Sequence, residues 1–328
     1  MVSLNGHNSW LLSFPRPWAD QRQTGRAYFH IVLEPWLVGP TDLVGSWFIH
    51  IDLPSTPAMP TADAVETTAR QIEDLASEYV LNRRMSQGSN EVFNPAGHID
   101  AIILGFHYYD HVHEATLRRM SANVPVIATP QAANIIKPWK HFRNIAIIHD
   151  LAPAATSWRT SKLHPGSLLP SWLTVLRLPG HREMNFCMAI VWTHVEDDGS
   201  EVHEAILNSP NGTLLNQGPL QAFLDAEPKT RKLAMLHGLK ESHVGGKQAS
   251  FGAKGGLQMY RKLGKVDYWV LSNHLRLNYT GMFMRVSRTA DTPRTLEWAL
   301  DQEPVEKAPL KKPSIFHVPN GGCLVLDV

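Results

Sequence analysis

Between Ile99 and His113 the chain reads Ile-Asp-Ala-Ile-Ile-Leu-Gly-Phe-His-Tyr-Tyr-Asp-His-Val-His. An apolar run ends abruptly in side chains that can carry charge. His107, Asp110, His111 and His113 fall within seven residues. The run Ala101 to Leu104 is short, Ile-rich and reads as a buried strand. A strand that delivers His and Asp at its end into a loop is one way to build a metal site, because both are ligands for zinc and harder metals. The same groups, with the Tyr108 phenol beside them, can also move protons without a metal.

Several elements must position this cluster. Strand-like runs come first, at Ser9 to Phe14, Tyr28 to Leu33 and Ser46 to Ile51, punctuated by Gly and Pro. The spacing of Val65, Ile72, Leu75, Ala76 and Tyr79 predicts a helix over Thr61 to Leu81 with one apolar face. Strands at Ala101 to Leu104, Val124 to Ala128 and Asn144 to Ile148 alternate with helices at about Glu114 to Met120 and Gln131 to Ile136. The second half continues with strands at Leu173 to Leu178, Cys187 to Trp192, Val202 to Leu207, Leu233 to Leu236 and Tyr268 to Leu271. A helix is expected over Gly256 to Leu263. Strands followed by alternating strands and helices, in two similar halves, suit a four-layer αββα sandwich. The chain is read as one domain over residues 1–328, with the Pro-rich stretch Pro293 to Pro319 as a wrapping C-terminal arm.

The cluster resembles the metallo-β-lactamase superfamily, whose signature after such a strand is His-x-His-x-Asp-His. Asp110 and His111 meet its last two positions. Strict spacing puts Phe106 and Tyr108 where the two earlier His would stand, with His107 between them. Other segments resemble the fungal-type branch of this fold. They are Leu4 to Leu12 as the first strand, Glu34-Pro35-Trp36-Leu37 as an Asp-Pro-Trp-Leu turn, and Asp110 to Leu117 as the helix entry after the metal loop. Ser209-Pro210-Asn211-Gly212 is similar to a Ser-Pro-His-Gly element, and Gly252 to Leu257 followed by Tyr268 to His274 resembles the closing strand. The resemblance implies the αββα fold, a hydrolase ancestry and a site for two zinc ions on about six ligands. Here the third His position falls on His181 within Pro179-Gly180-His181 or, in a second alignment, on Cys187. The bridging position falls on Asn211, and the last His position on Asn273 with His274 beside it. A reduced, single-zinc site would draw on Asp110 and His111 with one of His107, His181, Cys187 or His274.

Each of these residues also has a plainer reading. His107 and His274 can point away, since neighbours in extended chain face opposite sides. His113 begins a helix, as a cap or in solvent. Cys187 opens an apolar strand, where cysteine behaves as a small hydrophobe. Glu34 before Pro35 is structural, and Asn211 is a turn residue. Trp10, Trp36 and Trp47 are core packing, and His149-Asp150 is a surface loop.

The aromatic replacements Phe106, Tyr108 and Tyr109, with Asn211 and Asn273 as polar groups, describe a pocket for an apolar small molecule. Three functions follow. One is hydrolysis of an ester, thioester or lactone at a reduced metal site. Another is a metal-independent lyase, isomerase or cyclase step centred on Tyr108, Asp110 and His111, of the kind used in secondary metabolism. The third is ligand binding without turnover. Net charge +1 gives no sign of a nucleic-acid or acidic-lipid partner, and no run of about 18 apolar residues predicts a membrane span. Two distant cysteines and no signal-like N-terminus point to the cytoplasm.

Overall fold

The computed structural model describes residues 1–85, 97–304 and 311–327, with the side chains of 77–85 outside that description. Two sheets face one another. The first has six strands in the order Val2–Ser3, Trp10–Pro15, Tyr28–Leu33, Ile99–Leu104, Val126–Ala128 and Ile145–Ile147. The second has seven, in the order Ile315–Phe316, Val266–Val270, Arg231–Leu236, Glu201–Asn208, Asn185–Val195, Leu173–Arg182 and His149–Asp150.

Side-chain alternation along the strands divides the core into three. Leu12, Ile31, Leu33, Ala101 and Ile103 of the first sheet meet Val175, Met188, Ile190, Ala234 and Val270 of the second. The opposite face of the first sheet, with Leu11, Val32, Ile102 and Leu104, packs on Val65 and Ala69 of helix Ala62–Met85 and on Ala132, Ala133 and Ile136 of helix Pro130–Ile136. The opposite face of the second, with Cys187, Ala189, Val191 and Met235, packs on helices Gly218–Asp225, Gly252–Leu263 and Leu296–Leu300. Helix, sheet, sheet, helix is the expected four-layer sandwich. No helix among the described residues is long and apolar enough to cross a membrane.

Some boundaries differ from the sequence reading. Leu75 lies outside the buried stripe of the long helix and is exposed. At 100° per residue it sits about 80° from the line through Val65, which solvates it. The side chain of Tyr79 is outside the described residues. The expected strand over Ser46 to Ile51 forms only at Ile49–Asp52, because Gly45 at φ +140° turns the chain just before it. The Pro-rich arm is more ordered than its composition suggests. It holds helix Leu296–Leu300 and a strand, Ile315–Phe316, that extends the second sheet beside Trp269 and Val270, while residues 305–310 lie outside the description. His149–Asp150 is a short strand at the edge of the second sheet, not a loop, and is exposed.

The parallel strands that matter for chemistry are Tyr28–Leu33 with Ile99–Leu104, and Glu201–Asn208 with Arg231–Leu236 and Val266–Val270. Loops at the carboxyl ends of parallel strands are where open α/β sheets build sites. One strand is fixed in register by charge. Asp100 accepts from Arg16 Nη2 at 2.6 Å, from Arg26 Nη1 at 2.7 Å and from the His30 backbone N–H at 2.7 Å. The carboxylate therefore anchors the strand that ends in the His/Asp cluster.

Asp100→Ala should leave two poorly solvated guanidinium groups and a backbone donor unpaired. A loss of about 3–5 kcal/mol is expected for breaking such a pair. Urea denaturation measures it, and a loss under ~1 kcal/mol, the range of a surface ion pair, would show that the network carries no such weight.

Candidate active site

The site grows from three chain segments that hold one another. Asn5 is the hub of the first. Its Oδ1 accepts from the N–H of His7 and Ser9, and its Nδ2 donates to Ser9 Oγ at 2.9 Å and Trp36 O at 3.0 Å. Ser9 Oγ donates to Glu34 O at 2.7 Å and accepts from Trp36 N at 2.8 Å. Asn8 Nδ2 donates to the Asp110 carbonyl at 3.1 Å. The loop 5–9 therefore fixes the turn at Glu34 and the loop carrying Asp110 together. Trp10 Nε1 donates to Ser272 Oγ at 2.9 Å, which ties this end of the first sheet to the second.

Glu34 is the residue that sequence reasoning passed over as structural. It is buried and sits at φ +48°, a left-handed conformation that a non-glycine residue adopts at a cost. That turn sends its carboxylate inward. Oε2 lies 2.7 Å from His111 Nδ1 and Oε1 accepts from Phe106 N at 3.2 Å. Gly105 makes room, since a Cβ there would stand 2.9 Å from Glu34 Oε1. A carboxylate only accepts, so His111 Nδ1 carries a proton and donates to Glu34. On the other side of the ring, His111 Nε2 is 3.6 Å from Asp110 Oδ2. The result is a chain, Glu34–His111–Asp110, that begins in the core and ends at the partly exposed Asp110 side chain.

Burial is the largest single influence on His111 and lowers its pKa. The Glu34 charge, the Asp110 charge and the Glu34 hydrogen bond together outweigh it, and the pKa stands at about 9. Phe106 lies fully buried behind this ring, 4.8 Å from it and stacked on Phe186 at 4.2 Å. It supports His111 and offers no surface to a substrate, which corrects its expected place in a substrate pocket. Tyr108 is half-buried, stacked on His107 at 4.4 Å. Burial first, then Glu183 and Asp110, raises its pKa and keeps the phenol protonated. Tyr109 is exposed.

A second group of polar residues surrounds the chain. Lys240 is buried and paired with Asp291 at 2.8 Å; burial lowers its pKa, while Asp291 and Asp110 oppose that. Tyr279 Oη donates to the same Asp291 carboxylate, with 3.1 Å to each oxygen. His7 is held neutral by burial, then by Lys240, His111 and His274. Asn273, at φ +54°, donates through Nδ2 to Asn211 Oδ1 at 3.2 Å, so these two expected site residues do meet. His7 and Lys240 were not singled out in the sequence. The only signal for them was position, at the turns beside the expected strand ends.

The remaining candidate ligands stand elsewhere. Cys187 faces the helical layer behind the second sheet, and burial raises its thiol pKa. His181 stacks on Phe251 at 5.6 Å with an interplanar angle of 11°. His107 Nε2 is directed at Glu183, 3.9 Å away. His274 Nδ1 accepts from Leu239 N at 3.3 Å. His113 is buried and bonded to Thr116 Oγ1 and the Pro40 carbonyl, neither solvated nor a ligand. Among the described residues no three His, Cys, Asp or Glu side chains are grouped to hold a metal ion. Zinc needs about three protein ligands. Asp110 and His111 supply two, beside the Lys240 ammonium, whose charge opposes a cation. The donor set therefore does not fit zinc.

The pH dependence of stability follows from His111. Its pKa is raised in the fold, so its contribution is complete below its unfolded pKa near 6.5 and is lost as pH rises through about 9. Glu34→Gln should cost on the order of 2–4 kcal/mol near pH 6, with the gap from wild type closing near pH 10. Urea midpoints at the two pH values check this. An equal loss at both would contradict it.

No protein-family profile matches this sequence, and no curated protein matches it. Among solved structures, the chain is similar to an isothiocyanate hydrolase from Delia radicum gut bacteria, with 13% identity, 83% of each chain covered and a TM-score of 0.47. It is also similar to a possible metal-dependent hydrolase from Veillonella parvula, with 13% identity, 81% of this chain and 85% of the other covered, and a TM-score of 0.42. Likeness at this level assigns neither protein's chemistry to this one.

Proposed function

We propose that this chain is an enzyme of metallo-β-lactamase-like fold that acts on a small ester, thioester or lactone by acid–base chemistry. The observation that carries the reading is the Glu34–His111–Asp110 chain, charged at its buried end and open at Asp110. Asp110 takes a proton from the attacking water. The His111 imidazolium, held in one tautomer and orientation by Glu34, keeps Asp110 in place and supplies positive charge next to the carbonyl as it gains negative charge. The protonated Tyr108 phenol, which feels the Asp110 charge, is the donor for a leaving oxygen or sulfur and recovers its proton from Asp110 as the acid product leaves. General acids and bases of this kind typically contribute 10²–10⁴-fold in rate.

A second reading is supported by the ligand positions themselves. Phe106 is buried as a support, and Asn211 and Asn273 bond to each other. A site remodelled in this way suits proton transfer at carbon, as in a lyase, isomerase or cyclase. Incubation of each candidate substrate in ¹⁸O-labelled water separates the two. Label in the acid product supports hydrolysis, and turnover without label supports the second reading.

Asp110→Asn and His111→Gln should each lower turnover about 10²–10⁴-fold with the fold intact by circular dichroism. His149→Ala should change little, because His149 is exposed at the far edge of the second sheet. Wild-type activity should survive a chelator. Activity abolished by chelation and restored by zinc would contradict the metal-independent mechanism and return the site to the single-zinc form. Full activity in both site variants would show that the chemistry lies elsewhere.

A further inference from the structure

One surface of the protein carries apolar side chains that the core does not use. Ten large hydrophobic residues are exposed among those described, and five of them lie on the turn 44–48 and on the adjoining short helix Met282–Val286. Val44 is 72% exposed, Trp47 63% and Val286 80%, with Met282 and Phe283 between them. The turn and the helix are clamped together. Met282 N donates to Trp47 O at 2.8 Å and Phe283 N to Phe48 O at 3.0 Å. Trp47, Phe48 and Phe283 form a run of rings, 5.5 Å and 5.7 Å apart. A groove of about 500 Å³ runs between them, lined by Trp47, Met282, Arg285 and Val286 among others. Val44 is held out at φ +65°, a conformation a β-branched residue rarely adopts. Apolar groups kept in water at a cost in backbone strain mark an interaction surface.

The charge around the patch identifies what covers it. Arg285 and Arg288 are exposed on the same short segment, and neither side chain has an ion pair or hydrogen bond among the described residues. The nearby acid is Asp42 on strand Thr41–Leu43, 2.7 Å from His50. Two exposed arginines against this one carboxylate leave the rim net basic. A second copy of the chain in a two-fold contact would bring the same arginines from both partners into one interface. Against an anionic bilayer they are complementary. An exposed Trp beside Met, Phe and Val, with Arg stems reaching outward, matches the layering of a membrane interface, where the indole sits at headgroup level and basic groups meet lipid phosphates. The whole-chain charge of +1 conceals this, because it averages a local basic rim with acids elsewhere.

We infer that the turn at Trp47 and the helix at Phe283 dock the protein on the surface of an anionic lipid bilayer. The apolar side chains enter the headgroup boundary, and Arg285 and Arg288 pair with the lipid charge. The surface is also connected to the candidate site. Strand Asn278–Thr280 runs through Gly281 into the helix, and its Tyr279 holds the Asp291 carboxylate that pairs with Lys240. The docking stands independently of any reaction at that site.

Sedimentation of the full chain with vesicles tests it. The protein should pellet with phosphatidylcholine vesicles containing phosphatidylserine, less with phosphatidylcholine alone, and less as salt is raised. The double variant Arg285→Glu, Arg288→Glu should lose roughly 30-fold or more in partitioning to the anionic vesicles. Trp47→Ser should weaken binding to both kinds of vesicle with an unchanged thermal midpoint. The inference is overturned if wild-type protein fails to pellet with the anionic vesicles at low salt, or if both variants bind as wild type does. It is also overturned if centrifugation without vesicles shows a dimer that Trp47→Ser dissolves.

Discussion

Glu34 and His111 are both cut off from water and stand 2.7 Å apart. Removing two ions from solvent costs several kcal/mol each, which only close geometry and further hydrogen bonds offset. The surrounding structure supplies both. Gly105 has no Cβ to block the carboxylate, the left-handed turn at Glu34 aims it, and the Phe106 N–H gives it a second donor. The loop 5–9 clamps the Glu34 carbonyl and the Asp110 carbonyl from one side. Buried ion pairs are poor sources of stability but good sources of orientation. What this one orients is Asp110, the part of the chain that reaches the surface.

The site also carries fixed charge of its own beyond this pair. The Lys240 ammonium, buried and paired with Asp291, acts on Asp110, His7, His111 and His274. Together with burial, the larger influence, it lowers the His7 pKa, and it opposes the approach of a cation to the same space. Two fixed positive charges, on Lys240 and His111, stand near one partly exposed carboxylate. Such an environment favours negative charge, and it does so with groups already in place.

Much of the fold was legible because strands with one face on each core alternate visibly. Tyr28 to Leu33 is read and found with identical limits, and the alternation of Cys187 and Met188 sends one to the helical layer and the other between the sheets. Asp110 and His111 were legible as a pair because they follow a buried strand directly. Glu34 was not, since its role depends on a backbone turn and on Gly105, which lies far along the chain. Asp291 and Lys240 are 51 residues apart and meet only in three dimensions. Trp47 was read as core from its residue type, yet the turn after Gly45 places it in solvent. Phe106 reads as a pocket wall because motif spacing puts it where a metal-binding His would stand; the stacking on Phe186, 80 residues away, is what takes it inside.

The ionisation of His111 can be followed directly by ¹H–¹⁵N NMR of protein labelled at histidine. A ring protonated at both nitrogens through neutral pH is expected, with a strongly downfield Nδ1 proton bonded to Glu34 and a titration midpoint near 9. A midpoint at or below about 6.5, the unperturbed value, with a neutral ring at pH 7, would contradict it.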